Sequence, residues 1–230
     1  MTSIPGTSEI EWTARELTLA VIAALELFAD ERYARFLRSK QPGALDDEWF
    51  KWFLNTWRVA RTINAKKRDN VRAYLNGPFR RAVLRDRQGA SVERAVRMAK
   101  RKGWGAQALG HGQSSSMQSL ISKVAFFFRP DLFVPYDSLA LAGANRLRLT
   151  SKRGDPGKLT SPSYREYLDA FDGIYKLSER QLSHVLRESW VVAVAKRLNV
   201  NRRALSRPAF RRKVLDNLLM SKGRPPSLLR

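Results

Sequence analysis

The sequence of this 230-residue chain predicts an all-α fold, and three observations support that prediction. Apolar residues recur at helical spacing, most clearly over residues 12–29. Glycine, proline and serine residues divide the rest of the chain into segments of helical length. No segment shows the sustained alternation of apolar and polar residues that a half-buried strand requires. Hydrophobic residues make up 43% of the chain and aromatic residues 10%, so we expect a buried core.

The first half of the chain predicts a series of helices. Residues 12–29 place Leu17, Leu19, Val21, Leu25 and Phe28 at helical spacing. Residues 46–64 begin with three acids, which suit a helix N-terminus, and carry an aromatic stripe that we interpret as core, with base stacking as the alternative. That stripe consists of Trp49, Trp52, Phe53, Trp57 and Ala60. Further helices are predicted from residue 68 to a break at 76–78 (NGP), from there to about 87, and from 92 to Gly103.

The second half continues the helical pattern. A helix is predicted at about 117–128, a loop containing Pro130 and Pro135 follows, and another helix is predicted at 138–146. After a glycine-, proline- and serine-rich loop, two more helices are predicted, the second beginning at Ser178 with a Ser-x-x-Gln capping pattern. The basic tail, residues 220–230, is predicted to be mobile.

Composition excludes several kinds of chemistry. The chain has no cysteine, which excludes disulfides, thiolate zinc sites, iron–sulfur clusters and cysteine nucleophiles. With only two histidines, we expect no metal and no cofactor. The longest apolar stretch, residues 17–29, contains Glu26 and is too short to span a membrane. The N-terminus lacks a signal-peptide pattern, so we expect a cytoplasmic, monomeric protein without a membrane partner.

Positive charge is concentrated in two parts of a chain whose formal net charge is +22. Residues 61–102 contain 14 Lys and Arg against 3 Asp and Glu, and residues 196–230 contain 11 against 1. Such concentrations favour a polyanion as partner, because each neutralised phosphate releases condensed counterions. We therefore expect the two segments to lie on one DNA-binding face. The alternatives are solvated helix faces and an anionic membrane surface.

Residues 109–147 contain the most informative pattern. Gly110, His111 and Gly112 form a Gly-x-Gly turn before a helix, where free backbone N–H groups can bind a phosphate. The alternative is an ordinary helix start capped by the serines at 114–116. Asp137 then stands where the next helix begins, and its structural interpretation is an N-cap.

This order of motifs is similar to that of the helix-hairpin-helix DNA glycosylase superfamily, the family of endonuclease III and 8-oxoguanine glycosylase. The resemblance covers about 40 of the 230 residues and includes Asp137, Ser138 and the pair Asn145 and Arg146, eight and nine residues after the acid. It implies a multi-helix glycosylase-like fold with a cleft between two helical lobes. The whole chain, residues 1–230, would form one such unit, with lobes at about 1–105 and 106–220.

The resemblance also implies an activity. The protein would flip a damaged or modified base out of double-stranded DNA and cleave its N-glycosidic bond, with Asp137 stabilising the cationic sugar. In one alignment Lys123 is a Schiff-base nucleophile with associated lyase activity. In the other, water attacks, and Lys123 contacts a phosphate or tunes Asp137; Ser114 stands where lysine-dependent members carry their lysine. The biological role would be repair, or phage defence against bases such as glucosylated hydroxymethylcytosine.

The remaining site residues follow from these interpretations. The base pocket would contain Tyr136, Trp104 and Ser138. The DNA backbone would be bound by Gly110, His111, Gly112, Gln113, Ser114, Arg129, Arg146, Lys152 and Arg153. Two other functions stay open: a nucleic-acid-binding protein without catalysis, and a nuclease, which would need a carboxylate cluster that binds metal. Asp131, Asp137, Asp169 and Asp172 are the nearby acids, and no familiar nuclease spacing joins them.

Overall fold

The computed structural model of the protein describes residues 10–33, 45–86, 88–106, 117–150, 159–160 and 162–224. Over these residues the chain forms eleven helices whose bounds are described, and no strand, which confirms the predicted all-α class. The helices are α1 (Ala14–Ala29), α2 (Asp47–Thr56), α3 (Arg68–Tyr74), α4 (Arg80–Arg85), α5 (Ala90–Arg101), α6 (Gln118–Phe128), α7 (Ser138–Thr150), α8 (Tyr164–Val185), α9 (Ser189–Arg197), α10 (Arg202–Leu205) and α11 (Pro208–Gly223). In this part of the chain, no helix has the length and apolar character needed to cross a bilayer.

The chain divides into two compact units. The terminal unit comprises Met1–Glu31, Asp137–Pro162 and Glu166–Arg230, and the central unit comprises Arg32–Tyr136 and Ser163–Arg165. These boundaries differ from the predicted lobes at about 1–105 and 106–220. The reason is that α1, from the start of the chain, packs against α11, from its end, which sequence order alone does not indicate.

The terminal unit is built around α11. Ten of its residues are buried, including Phe210, Val214, Leu215, Leu218 and Leu219, and α1 and α7 pack against it. In α1, Leu17, Ala20, Val21, Ala24, Leu25 and Phe28 are buried. Leu19, which the spacing had grouped with them, is 56% exposed. Thr13 starts the helix with a capping box, because its side chain accepts from the Glu16 N–H while the Glu16 carboxylate accepts from the Thr13 N–H.

Helices α7 and α11 approach each other at two glycines. A Cβ atom added to Gly143 in α7 would lie 2.0 Å from the carbonyl oxygen of Leu219, and one added to Gly223 in α11 would lie 1.8 Å from that of Leu139. The pairing of 143 with 219 and of 139 with 223 means that the two helices run in opposite directions at this contact. Only glycine leaves room for backbone to meet backbone here.

The central unit is built around α6. Nine consecutive residues, Leu120–Phe128, are buried, so this helix has no solvent-facing side. Aromatic rings of α2 and of Trp57, which directly follows it, pack on α6: the rings of Trp49, Phe53 and Trp57 lie 5.2, 5.2 and 5.3 Å from the Phe127 ring, centroid to centroid. The core interpretation of the aromatic stripe is therefore the one that the structure supports, although Phe50, outside the stripe, is also fully buried.

Two predicted boundaries in the central unit are wrong. Helix α2 ends at Thr56 rather than near 64, because Arg58 adopts a left-handed conformation with φ 52°. The break predicted at 76–78 is instead a π-helical stretch, Leu75–Phe79, that joins α3 to α4. Pro78 lacks an N–H, and the wider π turn accommodates it without ending the helix. Asn76 in this stretch binds both the N–H and the carbonyl of Leu45.

The prediction of two helices separated before Ser178 is also wrong. Helix α8 runs unbroken from Tyr164 to Val185 through the predicted boundary, and the rest of the second predicted helix is observed as α9. Ser178 does not cap a helix; it is fully buried and its Oγ accepts a 3.0 Å hydrogen bond from the Trp12 indole N–H. The Gln181 amide accepts from the Trp12 backbone N–H at 3.0 Å and donates to the Trp12 carbonyl at 2.7 Å. A long-range contact thus uses the serine and glutamine that resembled a cap.

Candidate functional site

The loop that leads from α6 to Asp137 is held by side-chain hydrogen bonds. Both backbone groups of Val134 bind the Tyr164 hydroxyl, which accepts from the N–H at 3.0 Å and donates to the carbonyl at 2.8 Å. The N–H of Tyr136 donates to the Ser122 hydroxyl at 2.8 Å. Because the prolines at 130 and 135 cannot donate, these side chains replace the backbone pairing that a helix would supply.

Asp137 caps α7. Its Oδ1 atom accepts a 3.0 Å hydrogen bond from the Leu139 N–H, and its backbone carbonyl accepts from the Leu141 N–H at 2.9 Å. Its side chain is half-buried. A carboxylate at this position is stabilised by the helix dipole as well as by the bond. The N-cap interpretation of Asp137 is thus observed, and any chemical role would have to be carried by a carboxylate that also caps a helix.

Asn145 and Arg146, the pair that contributed to the resemblance, hold the terminal unit together. The buried Asn145 amide donates to the Leu159 carbonyl at 3.1 Å and accepts from the Leu159 N–H at 2.8 Å. Arg146 donates to the carbonyls of Lys222 and Arg224, at the end of α11, at 2.5 and 3.0 Å. Arginine satisfies helix-end carbonyls well, so this contact stabilises α11. The predicted role of Arg146, a contact with the DNA backbone, would compete with it.

Lys123 is a buried cation in the central unit. Only 7% of the residue is exposed, and its Nζ lies 3.3 Å from the Trp57 carbonyl oxygen and 5.9 Å from the centre of the Trp57 ring. The sequence does not indicate this neighbour, because Trp57 lies 66 residues from Lys123 and neither interpretation of the aromatic stripe includes a lysine. The signal that could have found it is the position of a lone lysine within an otherwise apolar helix, which requires a polar partner inside the core.

The predicted base-pocket residues have different surroundings. Tyr136 is half-buried, and burial raises the pKa of its hydroxyl. Ser138 is exposed at the start of α7. Trp104, which follows the end of α5, is 8% exposed, and the centre of its ring lies 5.2 Å from that of the Tyr74 ring. The structure therefore places Trp104 in a packed aromatic contact of the central unit.

Of the predicted backbone-binding residues, Arg129 is described and is engaged within the central unit. It donates to both Asp131 oxygens at 3.3 and 3.4 Å and to the Leu84 carbonyl at 3.2 Å. Seven other predicted residues lie outside the described residues: Gly110, His111, Gly112, Gln113, Ser114, Lys152 and Arg153.

The basic segment 196–230 does not present all its cations to solvent. Arg212 is 7% exposed and donates to Asp172 at 2.7 Å, and Lys213 is 7% exposed and donates to Asp216 at 2.6 Å. Because both cations are buried and paired with carboxylates, they are not available to phosphates. In contrast, Lys196, Arg197, Arg202, Arg203 and Arg207 are exposed.

Comparison with known proteins assigns no family. No protein-family model, curated protein or solved structure matches the chain. The resemblance to DNA glycosylases therefore rests on the residues of the motif alone. Within the described ranges, no three acidic or histidine side chains are grouped as metal ligands.

Proposed function

We propose that the protein is a DNA N-glycosylase, which flips a damaged or modified base out of duplex DNA and cleaves its N-glycosidic bond. The observation that carries the proposal is the setting of Asp137, a half-buried carboxylate oriented by the Leu139 N–H at the start of α7. A chain of net charge +22 is suited to phosphates, and a fixed carboxylate within it suits the one group that becomes positive during base release.

The proposed chemistry follows from charge. When the C1′–N bond breaks, the base leaves with the bonding electrons and C1′ becomes cationic. The Asp137 carboxylate stabilises this cation, more strongly in a half-buried setting than in bulk water. Water then adds to C1′ and loses a proton to solvent, leaving an abasic site. Repair of damaged bases and defence against modified phage DNA would use the same steps. In either role the protein would act as a monomer in the cytoplasm.

Lys123 has two roles under this proposal. As a nucleophile, its unprotonated amine would add to C1′ in place of water, which requires the Nζ atom to leave the Trp57 carbonyl. As a supporting residue, Lys123 would keep its contact with the Trp57 carbonyl and would affect the reaction only by holding neighbouring groups in place. The two roles differ in whether a covalent protein–DNA intermediate forms.

A second function is favoured by a different observation. Asp137, Asn145 and Arg146 each make a contact that stabilises the terminal unit, so the motif is explained without catalysis. A nucleic-acid-binding protein that keeps these contacts for its fold alone would have the same sequence pattern.

The deciding experiment measures base release. The chain is incubated with duplexes that carry oxidised, alkylated, mismatched or glucosylated bases, and alkali then converts abasic sites to strand breaks. We expect cleavage of at least one duplex, and a loss of about 10²- to 10³-fold in the Asp137→Asn variant, the size of effect seen when one charge-stabilising group is removed. Asparagine caps helices about as well as aspartate, so the fold should be retained. Equal rates for both proteins, or no release from any duplex, would favour the second function.

A further inference from the structure

Two segments far apart in sequence meet at the end of α5. Ile63 and Gly105 form an isolated antiparallel bridge, in which the Asn64 N–H donates to the Trp104 carbonyl at 2.8 Å and the Ala106 N–H donates to the Thr62 carbonyl at 3.0 Å. The bridge fixes the backbone of residues 61–67 against the turn that ends α5. All these residues belong to the central unit.

The turn itself depends on Gly103. Its φ of 60° lies in the left-handed region, and the N–H groups of Trp104 and Gly103 donate to the carbonyls of Ala99 and Lys100 at 3.0 and 3.2 Å. This pair of bonds is the Schellman arrangement that commonly ends helices at glycine. The turn follows directly after three consecutive cations, Lys100, Arg101 and Lys102, and directs the chain back towards residues 61–67.

The bridge therefore joins two stretches that each carry exposed cations, residues 61–67 and the end of α5. We name these six exposed cations the basic patch: Arg61, Lys66, Lys67, Lys100, Arg101 and Lys102. Residues 61–68 and 94–106 contain no Asp or Glu. The next acid along the chain, Asp69, lies 3.6 Å from Arg72. The patch is thus a concentration of positive charge without a carboxylate in the segments that form it.

We propose that the basic patch binds the phosphate backbone of nucleic acid, as a surface separate from the residues that the motif indicated. This rests on the nucleic-acid-binding part of the proposed function and does not require catalysis. Three consecutive cations at a helix C-terminus have a local explanation, because they offset the helix dipole. Arg61, Lys66 and Lys67 have no such explanation, since they come from outside α5 and add to a charge that is already positive.

Phosphate fits this surface better than a lipid bilayer does. Peripheral membrane helices combine cations with large exposed apolar residues that enter the bilayer. The exposed large apolar residues of the described chain are Leu19 and Leu84, and neither belongs to the patch. Nucleic acid needs no apolar anchor, because counterion release supplies the affinity.

The test compares two triple variants of the full chain, each losing three exposed cations. The patch variant is Lys66→Gln, Lys67→Gln and Lys102→Gln; the control is Arg15→Gln, Lys176→Gln and Arg187→Gln, whose residues are exposed in the terminal unit and lie outside both basic segments. Affinity for a fluorescent 20-base-pair duplex is measured by anisotropy from about 50 to 200 mM salt. Circular dichroism checks that both variants fold.

We expect the patch variant to reduce the slope of log affinity against log salt by about 2.7, or 0.9 for each lost phosphate contact, and the control to change it little. Over that fourfold range of salt, the factor by which affinity falls would therefore be about 40 times smaller for the patch variant than for the unmutated chain. Equal changes in both variants, or none in the patch variant, would overturn the assignment. The assignment would also be overturned if the unmutated chain bound no duplex but bound vesicles containing phosphatidylserine, and if the patch variant lost that vesicle binding.

The same samples separate this inference from the catalytic proposal. If the patch variant loses duplex affinity while the unmutated chain releases no base, the patch assignment stands and the glycosylase proposal fails. If base release is observed but the salt slope does not depend on the patch, the reverse conclusion follows.

Discussion

Replacing Gly143 with alanine tests the close approach of α7 and α11 in the terminal unit. The added Cβ would lie 2.0 Å from the Leu219 carbonyl oxygen, where contacts under 3.0 Å essentially never occur. Relief requires α7 and α11 to separate by about 1 Å, because the contact is with backbone and no side chain can rotate away. Overpacking of this kind costs about 1–3 kcal/mol, and the absence of a rotamer escape places it near the upper end. Alanine regains about 1 kcal/mol of helix propensity, which leaves a net loss of about 2 kcal/mol.

Gly173→Ala is the matched control. Gly173 lies within α8, and a Cβ added there would meet no atom within 4 Å. The same substitution should therefore stabilise the protein by up to about 1 kcal/mol, since only the helix-propensity gain remains. The two variants make the same chemical change in a helix and are expected to shift stability in opposite directions.

Thermal unfolding followed by circular dichroism measures both variants. For a chain of this size, 1 kcal/mol shifts Tm by about 2–4 °C, so Gly143→Ala should lower Tm by about 4–8 °C and Gly173→Ala should raise it by a few degrees. A Tm for Gly143→Ala equal to or above that of the unmutated chain would refute the close approach of α7 and α11.

The remaining predictions concern Lys123, Asp137 and Glu16. Borohydride added during base release should trap a covalent adduct that Lys123→Ala abolishes; release without an adduct would assign the attack to water. Asp137→Ala should cost about 1 kcal/mol of unfolding free energy in urea titrations and Asp137→Asn only a few tenths, whereas equal losses would contradict the N-cap. Burial raises the pKa of Glu16, but its bonds to Lys222 and Thr13 outweigh that effect and lower the pKa below its usual 4.5. The carboxylate therefore stabilises the fold above pH 4.5 and loses that effect as pH falls through its lowered pKa, so Glu16→Gln should destabilise the protein at pH 7 but not at pH 2, and equal destabilisation at both would contradict the pairing.

Local patterns were informative where the residues involved act on their own helix. The spacing of apolar residues located α1 and α6, and the acids before Trp49 located the start of α2, where the Asp46 side chain accepts from the Trp49 N–H at 2.6 Å. The role of Asp137 as a cap was also readable, because a capping side chain reaches only the next few backbone groups. These interactions span two or three residues, so sequence determines them.

The same reasoning failed where a distant residue used a locally suggestive side chain. Ser178 and Gln181 match a capping pattern, yet they bind Trp12, which is 166 and 169 residues away. Pro78 indicated a break that a π turn avoided. The predicted phosphate contacts of Arg129 and Arg146 stay predictions; the structure adds that both side chains bind carbonyl oxygens within their own units, which their charge did not indicate. Charge alone does not show which oxygen a guanidinium will meet.

The sequence by itself determined the all-α class, most helix positions, the absence of thiol chemistry and the concentration of positive charge, because each is a property of composition or of neighbouring residues. Tertiary structure decided which of those charges face solvent. Arg212 and Lys213 are buried beside carboxylates in α11, while Lys66 and Lys102 are exposed at the turn that ends α5. The bridge between Ile63 and Gly105 joins positions 42 residues apart, and a contact of that range is set by the packing of whole helices rather than by any local preference.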